Sequence, residues 1–456
     1  MSIVECKIVS FKCKVLSGVA CATKSFDSFN SFDSFDSFDS FDSFDSCMNN
    51  NENITLHTLS NGLRMVHVRR QSPVAWCGLA VNAGSRDELD GQYGLAHFVE
   101  HTIFKGTKRR SSTRINNRME QVGGELNAYT TKESTMLYCI FPVEHLERAM
   151  ELIADLVENS VFPDHELSTE LDVVLEEVAS YRDAPSEAVY DDFEDMLLAD
   201  SQLGHNILGE EKDLRLLTSG HCLDWLKRLY VPSNMVFFSL GSTPASKVFR
   251  LAERYFGILS HAKQGIKRKA PVAIEPQRKV VDLGLHQSHT IVGARVPGMY
   301  DDQRFAFALL NNILGGPGMN SLLNVSLRER RGLVYTVESS LVTFTDCGMI
   351  QIYLGCEHEK LKKALRLIAN TIDSLAQAPM SERRLDAYKR QYCGQMLVAS
   401  DSAEVSAMAA GRGLLYYNSV STLQENIDCI LSVTPAKLQQ AAQQLIMENC
   451  SILTFK

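Results

Sequence analysis

The sequence lacks any run of about 18 consecutive apolar residues, the length that an α-helix needs to cross a bilayer. It also lacks a long basic run of the kind that neutralises phosphates. Its 46 basic and 55 acidic residues leave a net charge of −9. We therefore expect no membrane span and no nucleic-acid partner. A hydrophobic content of 45% in 456 residues indicates a globular chain with room for two or three domains.

Paired cysteines of the CxxC type are also absent, and the twelve cysteines are scattered along the chain. A chain of this size does not need disulfide bonds to fold, so most of these cysteines should be reduced thiols. This pattern favours a cytoplasmic location. Export is a weaker alternative, because the first residues place lysines before a short, weakly apolar stretch.

Residues 1–47 differ in composition from the rest of the chain. Residues 25–46 repeat Ser-Phe-Asp with a period of three, which fits neither a helix nor a strand. We expect this segment to be a disordered, dispensable tail or a translated upstream repeat. The folded chain is expected to begin at Met48, where two strands flank a hairpin turn at Asn61-Gly62.

The chain from Met48 onward repeats one order of elements. Each half contains a buried strand, two helices, a strand pair and two long helices. This recurrence predicts an α+β fold with two domains. The predicted boundaries are 48–260 for the first domain, 261–275 for a polar linker and 276–456 for the second domain.

Two histidines lie four residues apart in the stretch GLAHFVEHTIFKGT. On a helix, His97 and His101 would face the same side, with Glu100 close to them. Two imidazoles on adjacent turns can hold a tetrahedral zinc ion, and a neighbouring glutamate can take a proton from a zinc-bound water. A histidine on an apolar helix face is usually a core residue, so the motif alone only suggests zinc.

A catalytic zinc ion needs a third protein ligand, and the stretch STELDVVLEEVASYRD of the second long helix offers three glutamates. Glu170 and Glu177 are seven residues apart and nearly aligned on one face, whereas Glu176 points away from that face. We predict Glu177 as the third ligand and Glu170 as a support for the ligands. The alternative for any glutamate on such a helix is that it lies on the solvent-exposed face and has no role in metal binding.

The segment HFVEH resembles the zinc motif of the inverzincin metallopeptidases, which include pitrilysin, insulysin and the β-subunit of the mitochondrial processing peptidase. The interval of seventy-six residues from His101 to Glu177 is similar to the interval in that family and favours Glu177 over Glu176. Other matching stretches are AGSRDE, FKGT, GGELNAYTTKEST, VVLEEVASYRDAP, LGHNILGEE and YVPSNMVFFSLG. The chain is identified as a short, single-unit, bacterial-type member of the family, similar from about residue 53 to its end.

The resemblance implies two homologous α+β domains, each a mostly antiparallel sheet with helices packed on one face, that together form half of a clamshell. It implies one zinc ion per chain, held by His97, His101 and Glu177, with Glu100 as the catalytic base in the hydrolysis of peptides or unfolded segments. Family members enclose the substrate between two such units. We therefore expect a homodimer, or pairing with a zinc-free homologous subunit.

The resemblance also assigns four residues to substrate binding. Arg328 and Tyr335, in SLRERRGLVYTVESS, resemble the pair with which the second domain reaches the substrate, and their plain alternative is a surface arginine and a core tyrosine. Asn127 and Ala128, in GGELNAYT, would pair with an extended peptide through the main chain, unless this stretch is simply a hairpin. The glycine-rich residues 314–321 are predicted to be a loop between helices.

A protein of a different class remains an alternative. The same fold also serves as a structural core in respiratory complexes, so the chain could be a non-catalytic assembly subunit. Such subunits usually lose the zinc residues, and this chain retains all of them. A further alternative keeps the zinc chemistry but requires a different, zinc-free partner for activity.

Overall fold

The computed structural model describes residues 53–199, 201–259, 267–272 and 274–456. The predicted tail, the proposed start at Met48 and part of the predicted linker lie outside these ranges. The architecture of the described chain consists of two β-sheets, one in each half, and the helices that cover them. None of the helices in these ranges combines the length and the apolarity of a membrane span.

The first sheet contains six strands in the described residues. They are β1 (Asn53–Thr58), β2 (Arg64–Arg69), β3 (Val74–Val81), β4 (Glu125–Thr130), β5 (Thr135–Pro142) and β6 (Met235–Gly241). Their order is β1-β2-β6-β3-β5-β4, and all neighbouring pairs are antiparallel except β2 with β6. Strand β4, which follows the predicted zinc motif in the chain, therefore forms one edge of the sheet.

The helices of the first half are α1 (Leu95–Thr102), α2 (Ser112–Glu120), α3 (Leu146–Asn159), α4 (Asp164–Arg182), α5 (Pro185–Leu198), α6 (Glu211–Leu214), α7 (Ser219–Leu229) and α8 (Ala245–Phe256), with 3₁₀ turns at Ser85–Asp87, Val143–His145 and Pro232–Asn234. Proline marks two of the breaks, since Pro163 precedes α4 and Pro185 begins α5. Helix α3 packs on β3 and β5, so one face of the first sheet is covered by helices of the same half.

The second sheet consists of β7 (Arg278–Val281), β8 (Ser288–Val296), β9 (Thr336–Thr343), β10 (Gly348–Cys356) and β11 (Ser451–Phe455), in the order β7-β11-β8-β10-β9. Only β7 and β11 are parallel among its described pairs. Its helices are α9 (Arg304–Gly315), α10 (His358–Gln377), α11 (Glu382–Ser400), α12 (Ala403–Tyr417), α13 (Leu423–Leu431) and α14 (Pro435–Gln443), together with a π-helix at Asn324–Glu329. The glycine-rich stretch after α9 connects two helical segments, as the sequence predicts.

The predicted fold class, two α+β units with mostly antiparallel sheets, is confirmed. The structure adds a feature that the sequence did not predict: one helix of each half packs on the sheet of the other half. Helix α12 of the second half packs on β2, β3 and β6 of the first sheet, and α5 of the first half packs on β8 and β11 of the second. We call this arrangement the helix exchange.

The strand β6 explains why the helix exchange is needed. All seven of its residues are buried, so both of its faces must be covered. Phe237 points into the core that the helices of the first half form, whereas Phe238 packs with Met408 and Leu414 of α12 on the opposite face. A Cβ atom at Gly411 would lie 2.8 Å from the Phe238 ring, so glycine permits the close approach of α12.

A buried group of charges joins the two halves. Arg86, whose side chain is 0% exposed, lies 2.6 Å from the Glu133 carboxylate and also bonds Asp346 of the second half. Arg268 bonds Asp87 at 2.6 Å and the Glu133 backbone carbonyl at 2.9 Å. We call Arg86, Asp87, Glu133, Arg268 and Asp346 the interdomain ion cluster. Its bonds fix the contact between the halves close to α1.

We expect the substitution Arg86→Leu to lower the free energy of unfolding by up to about 3–5 kcal/mol, because it removes the guanidinium 2.6 Å from the buried Glu133 carboxylate and leaves Arg268, at 3.6 Å, as the remaining cation of the cluster near it. The matched control is Arg254→Leu, which removes an exposed pair with Glu147 and should cost no more than about 1 kcal/mol. Urea unfolding followed by tryptophan fluorescence measures both losses. Equal, small losses would show that the interdomain ion cluster contributes little to stability.

Candidate metal centre

Helix α1 carries the two histidines of the HFVEH segment. All eight of its residues are buried, and it lies between α4 and the edge strand β4. The rings of His97 and His101 are neighbours, with centroids 4.6 Å apart and an interplanar angle of 68°. The four-residue spacing thus brings both imidazoles to one side of the helix, away from solvent.

Helix α4 adds a carboxylate to this pair. One ligand atom from each of His97, His101 and Glu177 can be chosen so that all lie within 4.8 Å of one another. The Glu177 Oε2 atom is 3.4 Å from His101 Nε2 and 3.8 Å from His97 Nε2. We call these three residues the metal-binding group.

The metal-binding group fits a zinc ion in both its bonding and its chemistry. In the described residues, His97 Nε2 and Glu177 Oε2 are buried without a hydrogen-bond partner, although buried polar atoms are normally bonded. Two imidazoles and one carboxylate are a ligand set of catalytic zinc sites. Burial, and next the nearby His101, hold the pKa of His97 well below its usual value, which favours the neutral ring that binds metals.

Glu170 lies behind the metal-binding group on α4. Its carboxylate is 2.9 Å from His101 Nδ1 and 2.5 Å from Lys105 Nζ. Burial alone would raise the pKa of Glu170, but the hydrogen bonds from His101 and Lys105 outweigh it and lower that pKa. Glu170 is therefore an ionised acceptor that orients the His101 ring with Nε2 toward Glu177.

Glu100 lies on α1 beside the metal-binding group and is 5% exposed. Burial raises the pKa of Glu100 to about 7; the charge of Glu177 adds to the rise, and hydrogen bonding with Thr130 of β4 opposes it. A carboxylate with such a pKa can both accept and release a proton near neutral pH.

Asn127 and Ala128 lie on β4, at the edge of the first sheet. They face Tyr138 and Leu137 of β5 on one side, and no described strand pairs with the other side of β4. Strand β4 also contacts α1, so this sheet edge lies close to the helix that carries the histidines. Such an edge can accept an extended peptide as an additional strand.

Arg328 and Tyr335 lie in the second half. Arg328 is on the π-helix with its side chain 47% exposed, 3.8 Å from Glu329, and Tyr335 is 44% exposed and hydrogen-bonds Tyr353. Within the described residues, these ion-pair and hydrogen-bond contacts of Arg328 and Tyr335 do not reach the metal-binding group. Their assignment to substrate binding therefore stays a prediction.

Sequence comparison identifies the family. Residues 64–211 match the family described as insulinase (peptidase family M16), and residues 217–392 match the family described as the peptidase M16 inactive domain. A relative from Mycobacterium tuberculosis, named zinc protease Rv2782c, is 32% identical over 400 residues, which cover 85% of this chain and 90% of the relative. This chain belongs to peptidase family M16. The resemblance drawn from HFVEH is thereby confirmed.

Other M16 relatives are similar over the same length. The zinc protease YmxG of Bacillus subtilis is 29% identical over 408 residues, 88% of this chain and 97% of YmxG. A Helicobacter pylori protease superposes with a TM-score of 0.82 at 22% identity, covering 88% of this chain and 99% of that one. An M16 inactive-domain structure from Pseudomonas fluorescens gives 0.81 at 19% identity, covering 88% and 97%. These two structures share the fold of this M16 chain.

Two residues that hold the start of α1 from outside the helix were not predicted as site residues from the sequence. Glu88 lies six residues before Gly94, and its buried carboxylate accepts hydrogen bonds from the first turn of the helix. His205, which lies 3.0 Å from the same carboxylate, comes from a loop far along the chain. An acidic residue just before a helix is a weak signal for Glu88, and the sequence carries none for His205.

A cavity of about 270 Å³ lies at the C-terminal end of α4 in this M16 chain, and none of its described lining residues belongs to the metal-binding group. Val178, which follows Glu177, is part of its wall, and the acidic side chains of Asp191, Asp192 and Asp195 line it. Burial raises the pKa of Asp195 to about 6. The cavity therefore presents an acidic wall next to the end of α4 that carries Glu177.

Proposed function

We propose that this chain is a zinc-dependent endopeptidase that hydrolyses peptides or unfolded polypeptide segments and holds one zinc ion through His97, His101 and Glu177. The observation that carries the proposal is the buried metal-binding group, whose facing atoms His97 Nε2 and Glu177 Oε2 lack hydrogen-bond partners in the described residues. Membership of the M16 family, in which the similar relatives are named zinc proteases, supports it.

The side chains around the metal-binding group divide the chemistry between them. A bound zinc ion would polarise a water molecule and make it a nucleophile near neutral pH. Glu100 accepts the proton of that water on its carboxylate and later donates it to the nitrogen of the leaving amine. Its raised pKa, about 7, suits both steps. Glu170 holds the His101 ring through Nδ1 throughout.

We infer that the substrate binds as an extended segment. The main chain of Asn127 and Ala128 at the free side of β4 would pair with it, because an edge strand exposes unpaired N–H and C=O groups. Arg328 would hold a carbonyl or carboxylate of the peptide, and Tyr335 would donate a hydrogen bond to the developing oxyanion. A folded protein offers no such free segment, which limits the substrates to peptides and unfolded chains.

We infer further that two copies of the chain enclose the substrate in a closed chamber, since the described residues form one pair of domains, which resembles half of a clamshell. The competing arrangement pairs it with a zinc-free homologous subunit. We infer a cytoplasmic location from the sequence, whose twelve scattered cysteines include no CxxC pair, a pattern that favours reduced thiols.

Removal of the metal tests the proposed function. The full chain, purified alone, should contain one zinc ion and cleave an unfolded, fluorogenic peptide; EDTA should abolish cleavage and added zinc should restore it. Metal analysis and fluorescence measure the two properties. Zinc without cleavage would favour a missing partner subunit, whereas a chain that binds no zinc would favour the non-catalytic assembly role.

A further inference from the structure

The first turn of α1 is held by a carboxylate from outside the helix. Gly94, the residue that precedes α1, has no side chain to cap the helix, so the amide hydrogens of the first turn need other acceptors. Glu88 supplies them: the Gly94 N–H donates to Oε2 at 2.9 Å and the Ala96 N–H donates to Oε1 at 2.7 Å. The negative charge also suits the positive end of the helix dipole.

His205 holds this carboxylate in turn. Its Nε2 atom is 3.0 Å from Glu88 Oε2, its ring stacks on Tyr93 at a centroid distance of 4.2 Å, and its carbonyl accepts a hydrogen bond from Lys132 Nζ. Lys132 precedes Glu133 of the interdomain ion cluster. Glu88 and His205 are therefore anchored to the hairpin that contacts the second half.

The chain around the start of α1 leaves no space for a shift. Gly94 has a φ of 94°, and a Cβ atom there would lie 2.8 Å from the Leu208 carbonyl oxygen. A Cβ atom at Gly209, whose φ is 77°, would lie 2.4 Å from the Tyr93 carbonyl oxygen. The loop that carries His205 thus lies directly against the residues that begin the helix.

The two histidines of the metal-binding group are held in different ways. His101 has a direct support, because Glu170 bonds its Nδ1 atom. His97 has none in the described residues, since its Nδ1 atom is buried without a hydrogen-bond partner. Besides its edge contact with the His101 ring, the direction of His97 Nε2 therefore depends on the backbone of α1, and His97 directly follows Ala96, whose N–H donates to Glu88.

We propose that Glu88, braced by His205, is a positioning residue for the metal centre, which fixes the first turn of α1 and thereby the direction of His97 Nε2. This inference rests on the proposed zinc function. Glu88 does for His97, through the backbone, what Glu170 does for His101 through a side-chain hydrogen bond. Loss of such indirect support typically costs about 10–100-fold in metal affinity or activity.

The test compares Glu88→Gln with Asp155→Asn in the full chain. Asp155 is another buried carboxylate of the first half, but it bonds Thr107 and Arg110 rather than α1. We expect Glu88→Gln to raise the zinc dissociation constant, measured by competition with a chelator, by about tenfold or more. It should also lower kcat with little change in KM and shift the visible spectrum of the cobalt-substituted protein. Asp155→Asn should lower the melting temperature without these effects.

The outcomes separate this inference from the proposed function. Equal zinc affinity, cobalt spectrum and kcat in wild type and Glu88→Gln, even with a lower melting temperature, would refute the positioning role alone. A wild-type chain that binds no zinc would refute both. If Glu88→Gln does not fold, His205→Asn decides, because it leaves both amide bonds to Glu88 intact. A smaller rise of the zinc dissociation constant supports the role, and no rise contradicts it.

Discussion

Glu100→Gln is expected to keep the zinc ion and to lower kcat for peptide hydrolysis by about 10²–10⁴-fold, the usual contribution of a catalytic base. The amide has nearly the same shape as the carboxylate but cannot accept a proton. Glu100 does not belong to the metal-binding group, so the zinc ligands remain in place. Because Glu100 is buried, a solvent-exposed side chain cannot readily take over its role as the base.

Zinc content and kcat per bound zinc ion are the two measurements for Glu100→Gln. Glu176→Gln is the control, because Glu176 is an exposed glutamate of α4 whose neutralisation changes the charge by the same amount. The control should match wild type in both properties. Wild-type turnover by Glu100→Gln would remove Glu100 from the mechanism, and loss of its zinc would indicate that Glu100 supports the ligands instead.

Glu177→Gln is expected to raise the zinc dissociation constant by more than the roughly 10–100-fold that is typical of supporting residues. The substitution removes the only charged member of the metal-binding group, and a neutral amide is a far poorer ligand for zinc. Turnover should fall in parallel with zinc occupancy at limiting zinc.

The same control, Glu176→Gln, is sharper here because it changes the residue next to Glu177 in the chain. Chelator competition measures zinc affinity in both variants. A Glu177→Gln protein with full zinc and full activity would contradict the assignment and return the third ligand to Glu176 or Glu170. Loss of zinc in Glu176→Gln alone would select Glu176.

The placement of His97 and His101 side by side could be predicted because it depends on local geometry. The spacing of His97 and His101 fixes their shared side on any helix, and the helical period separates Glu177 from Glu176. The packing of α1 against α4, which brings the carboxylate to the imidazoles, followed from the family resemblance rather than from the pattern itself.

The parts that could not be predicted depend on contacts between distant segments. The apolar run of β6 indicates that both faces of that strand are covered, but it carries no information on which helix covers the second face. Glu88 and His205 meet although they are 117 residues apart. The π-helix that carries Arg328 differs from an α-helix by its wider turn, which the apolar period does not distinguish.

The helix exchange has a consequence for how the chain folds. Because α5 and α12 cross between the halves, neither half is a self-sufficient module. Expressed alone, the half with the metal-binding group would expose Phe238 and its apolar neighbours to water, and the other half would lose the cover on β8 and β11. We therefore expect the two halves to unfold together as one cooperative unit.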